Sequence, residues 1–91
     1  MNEQDIKQIE LLLKNEKTVE AMETFNKLEP EETAIYFLLK GKVAQKFQQW
    51  SDALNAYHRV LELDPGNEEA VNNIHLIKNI LNFWSPEMFN P

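Results

Sequence analysis

Apolar residues recur every three or four positions along most of the chain, the spacing of one face of an α-helix, and polar breaks divide the pattern into five segments. Ile6, Ile9, Leu12 and Leu13 form the first stripe, over about 5–14, and Ala21, Met22, Phe25 and Leu28 the second, stopped near Pro30. A third runs over about 32–47 with Tyr36, Phe37, Leu39, Val43 and Ala44. A fourth carries Ala53, Leu54, Tyr57, Val60 and Leu61 and ends at Asp64-Pro65-Gly66, and a fifth carries Ala70, Ile74, Ile77, Ile80 and Leu81. Asp5, Thr18, Ser51 and Asn67 are the expected caps, because short polar side chains satisfy the free N–H groups at a helix start. Connections of two to five residues leave no route except antiparallel packing, so the pattern predicts an all-α stack of helical hairpins.

Composition narrows the class. At 91 residues the chain suits one domain with one core, and 43% hydrophobic with 26% charged residues is globular, which argues against wholesale disorder. Net charge −6 opposes binding to a phosphate backbone or an anionic membrane, since the nine Lys and Arg are spread along the chain. No nucleic acid and no membrane partner is therefore expected. The absence of cysteine removes disulfides and thiolate chemistry, and MNEQDIKQIE lacks the basic, apolar start of a secretory signal, so a cytoplasmic location is expected.

One unit recurs. Trp84 and Ser85 repeat Trp50 and Ser51 at a distance of 34. The stretch YFLLKGKVAQKFQQWSDALNAYHRVLELDP resembles the tetratricopeptide repeat in its order of aromatic, glycine, alanine, aromatic and proline: Phe37, Gly41, Ala53, Tyr57 and Pro65 keep the family spacing, with Trp50 opening the second helix. Lys40 and Ala44 depart from the family's leucine and tyrosine, and Leu39 or Val43 is expected to compensate. A weaker copy lies 32 residues upstream, where Lys14 matches Lys46, Ala21 matches Ala53 and Phe25 matches Tyr57. The resemblance implies a short right-handed α-solenoid of about two repeats plus a C-terminal capping helix: a degenerate repeat over 1–30, a full one over 32–66, and a half repeat with an aromatic tail over 67–91. Gly41 is best explained by close approach of a partner helix, with Ala53 the expected approaching surface. Terminal units of a solenoid need covering, so Trp84, Met88 and Phe89 are expected to fold back over the fifth helix.

No phosphate loop, metal motif or calcium loop is present, and no cofactor or catalytic residue is assigned; His58 and His75 read as surface or boundary histidines. The resemblance instead implies a protein-interaction module whose concave groove is lined by the first helix of each hairpin. Carried onto this chain, that groove contains Leu38, Lys42, Gln45 and Lys46 from the third helix, Lys14 from the first, and Asn72 and Asn73 from the fifth. It would hold a protein or peptide carrying a carboxylate, with Lys42 and Lys46 as charge partners and Asn72 or Asn73 bonding its backbone. Two other readings stand beside it. Lysines on an exposed helix face can be merely solvated, and the incomplete third repeat can pack on a second copy, making a weak homo-oligomer and scaffold instead of a monomer.

Overall fold

The computed structural model describes residues 1–84, the Trp84 side chain excepted, so Met88, Phe89 and the expected aromatic cap lie outside the described residues. Those residues form five α-helices: α1 (Glu3–Lys14), α2 (Thr18–Asn26), α3 (Ala34–Lys46), α4 (Trp50–Leu63) and α5 (Glu68–Trp84). The molecule is elongated, with principal extents of 41 × 27 × 18 Å. That shape follows from helices stacked in chain order, with α3 between the α1–α2 pair and the α4–α5 pair, rather than around one centre.

Local chemistry sets the helix ends. Asn2, not Asp5, caps α1: its side chain accepts from the Asp5 N–H at 2.8 Å, and Asp5 closes a reciprocal capping box. Thr33 caps α3 by accepting from the Tyr36 N–H, and Asn67 caps α5 by accepting from the Ala70 N–H at 2.9 Å. Thr18 and Ser51 do not cap; each lies inside its helix, behind Lys17 and Gln49, which make no side-chain capping bond.

The two hairpins share one turn. Glu16 and Gln48, 32 positions apart, both adopt left-handed backbone, with φ of 59° and 57°. In the first turn the N–H of Lys17 reaches the Leu12 carbonyl and that of Glu16 the Leu13 carbonyl; in the second, Gln49 reaches Ala44 and Gln48 reaches Gln45. This is the Schellman arrangement, which satisfies the last carbonyls of a helix and reverses the chain in three residues. The spacing of the turns equals the 32-residue offset between the two sequence copies.

The expected single core is divided by α3 into two clusters. Ile9, Leu13, Ala21, Phe25, Tyr36, Leu39 and Val43 form one; Leu38, Ala44, Ala53, Tyr57, Val60, Ala70, Ile74 and Ile77 form the other, and Phe37 packs against both. α3 is therefore buried along both flanks. Leu39, Val43 and Ala44 are buried, whereas Lys40 is exposed. Gly41 is required by the ring of Tyr57, not by Ala53: a Cβ on Gly41 would lie 2.6–2.9 Å from the ring atoms Cε1, Cδ1 and Cζ. Ion pairs tie the Met1 amine to Glu31 in the α2–α3 connection and Arg59 of α4 to Glu32 of that connection and to Glu62 within its own helix. The amine and the guanidinium are each held above their usual pKa, chiefly by hydrogen bonds to those carboxylates.

α5 is the longest helix, and it runs without a break through position 84. Trp84 thus closes α5, whereas Trp50 opens α4, so the two tryptophans occupy different structural positions.

Candidate functional site

Two adjoining depressions share Leu13, Lys42 and Lys46. One, of about 490 Å³, lies between α1 and α3 and is lined by Lys7, Glu10, Leu11, Leu13, Lys14, Lys42 and Lys46. The other, of about 360 Å³, continues between α3 and α5 and adds Gln45, Gln48, Trp50, Glu69 and Asn73. The helical period brings these together: Leu13 and Lys14 lie at the end of α1, Lys42, Gln45 and Lys46 follow one another on a face of α3, and Glu69 and Asn73 are four apart on α5.

Of the groove residues expected from the sequence, Lys14, Lys42, Gln45, Lys46 and Asn73 line these depressions. Leu38 does not. It is 7% exposed and belongs to the cluster with α4 and α5, since burial of α3 on both flanks leaves no open side at that position. Asn72 is exposed but lines neither depression. Glu69, Trp50 and Gln48 were missed by extending the first-helix pattern alone, because Gln48 and Trp50 belong to the turn and the start of the second helix.

Several of these groups already have partners. Lys42 Nζ lies 2.7 Å from Glu69, joining α3 to α5, and Lys46 Nζ lies 2.9 Å from Glu16, joining α3 to the first turn. Beneath them, the fully buried Tyr57 donates its hydroxyl to Gln45 Oε1 at 2.7 Å and accepts from Asn73 Nδ2 at 3.2 Å. Burial pushes the Tyr57 hydroxyl well above the ordinary tyrosine pKa; the Asn73 bond opposes this shift and the nearby Glu69 charge adds to it. The hydroxyl is thus a neutral hydrogen-bond relay at all physiological pH. Leu11, 57% exposed, supplies apolar surface at the outer end of the groove.

A larger depression lies elsewhere. About 580 Å³ opens between α2 and α4 over α3, floored by Phe25, Phe37, Phe47 and Val43 and edged by Lys40, Arg59 and Asp52. Lys40 Nζ and Arg59 Cζ stand 6.0 and 5.4 Å from the centre of the Phe37 ring, within the range of cation–π attraction. Arg59 is neutralised there by its two glutamates.

His58 and His75 are both exposed. Among the described residues no group of three or more His, Asp or Glu could hold a metal ion, and no helix is long and apolar enough to cross a membrane. Comparison with family models, with curated proteins and with solved structures finds no significant match.

Proposed function

We propose that the chain is a short tetratricopeptide-like solenoid that binds a carboxylate-bearing peptide or protein segment in the groove formed by α1, α3 and α5. The observation that carries this reading is the gathering of charge. In a chain of net charge −6 with nine basic residues, Lys7, Lys14, Lys42 and Lys46 line one depression together with Leu11 and Leu13, against the single acid Glu10. Cations beside aliphatic surface match a ligand that alternates acidic and apolar side chains. The repeated turn at Glu16 and Gln48 supports the solenoid part of the reading, because the same chain reversal links the helices of both hairpins.

The test is an immobilised array of hexapeptides, each combining Asp or Glu with Leu, Ile, Val or Phe, probed with the intact chain and with a Lys42→Gln, Lys46→Gln variant. Binding by the parent that weakens in the variant, with helicity unchanged by circular dichroism, is the expected result. Equal binding by both would remove the lysines from the mechanism.

A second reading, self-assembly, is favoured by the outer face of α5. On that face Leu76 is 49% exposed. Sedimentation over a range of concentrations, with Leu76→Lys as the control, separates a monomer from an oligomer built on that face.

A further inference from the structure

The relay of Gln45, Tyr57 and Asn73 consumes one hydrogen-bonding end of each amide and leaves the other. Gln45 gives its Oε1 to the Tyr57 hydroxyl, so its Nε2 hydrogens remain to donate. Asn73 gives an Nδ2 hydrogen to the same oxygen, so its Oδ1 remains to accept. Both amides line the depression between α3 and α5, and Tyr57 itself is fully buried behind them. A side-chain amide on an open surface turns freely; these two are fixed by a single hydroxyl whose ring is in turn held against Gly41. The remaining pair, one donor and one acceptor, complements the carbonyl and N–H that an extended peptide presents.

We propose that Tyr57 is the positioning residue of the groove: its hydroxyl orients Gln45 and Asn73 so that together they bind a main-chain peptide unit of an extended acidic ligand. This rests on the groove reading above and adds to it which part of the ligand is recognised. The lysines select for carboxylates, whereas the two amides read the backbone and are indifferent to side-chain identity. Lys42, between the two depressions and joined to Glu69, places the first carboxylate next to that backbone contact.

The experiment takes the tightest-binding hexapeptide of the array, fluorescein-labelled, and a set of analogues N-methylated at each peptide bond in turn. Affinities are measured by anisotropy for the intact chain, Tyr57→Phe and Gln45→Met, after circular dichroism and urea midpoints show that each variant is folded. Tyr57→Phe is expected to weaken the parent peptide about tenfold, the scale of one or two net hydrogen bonds. N-methylation at one bond is expected to weaken binding to the intact chain by about tenfold and to Tyr57→Phe by less than about twofold, because the contact is already lost there. A purely structural tyrosine would leave the N-methylation penalty the same in both proteins, and that result, or unchanged affinity in Tyr57→Phe, overturns the positioning role while the groove reading stands. If no peptide of the array binds the intact chain, the groove reading fails and this inference fails with it.

Discussion

Replacing Gly41 by alanine sets two effects of known size against each other. In an exposed helix the change is favourable by about 1 kcal/mol, because glycine carries the larger conformational entropy cost. Here the new methyl would lie 2.6 Å from Tyr57 Cε1 and within 2.9 Å of two further ring atoms, closer than carbon atoms approach without displacement. The ring cannot retreat cheaply: it is fully buried, and its hydroxyl is bonded to Gln45 and Asn73 on two other helices. Overpacking of this kind costs about 1–3 kcal/mol, and the immobility of the ring puts it at the upper end. The net expectation is a loss of about 2 kcal/mol, which for a chain of this size lowers Tm by roughly 8–16 °C. Urea unfolding followed at 222 nm measures it, and a cycle with Tyr57→Leu locates the cause. The double variant is expected to be more stable than the sum of the single changes by at least about 1 kcal/mol, since leucine vacates the space the methyl needs. An alanine variant as stable as the parent, or more so, would refute the close-approach argument.

Gln48→Gly is expected to stabilise the fold by about 0.5–1 kcal/mol, because the left-handed conformation strains glutamine but not glycine; a lower urea midpoint would contradict this. Gln48 is the cleaner site for the test, since Glu16 also holds Lys46. Tyr57 makes stability depend on alkaline pH. Its folded pKa is raised, so its contribution is fully present below the unfolded value of about 10 and is lost as pH climbs above that, by about 1.4 kcal/mol per unit. The difference in unfolding free energy between the intact chain and Tyr57→Phe, measured from pH 8 to about pH 11, is expected to be flat at first and then to shrink.

The five helices were legible because each carries a stripe of apolar residues at helical spacing, and that period survives whatever the tertiary context. Caps were less so. Asn2 and Asp5 are both cap-type residues three apart, and only the backbone bonds show that Asn2 is the cap and Asp5 its reciprocal partner. The left-handed turns carried no glycine to announce them; Glu16 and Gln48 accept the strain because three-residue reversal of the chain demands it. Leu38 was assigned to the groove by carrying the family's first-helix pattern onto α3. α3 instead packs between the two clusters, so that position is core, while Lys42, Gln45 and Lys46 remain at the surface. Ala53 is the natural choice to face Gly41 in the sequence, since small residues mark close contact, but the ring of Tyr57 stands in that place.

The two lysines at the centre of the groove already hold carboxylates of their own, Glu69 and Glu16. A tethered acid competes at an effective concentration in the millimolar range or above. An incoming molecule with a single carboxylate therefore meets a rival that never diffuses away, and it exchanges one anion for another at little gain. In the groove proposed above, only a chain that brings two acids, or an acid with an apolar side chain for Leu11 and Leu13, would add something to the exchange, and the internal glutamates would then filter against small anions and in favour of polymers.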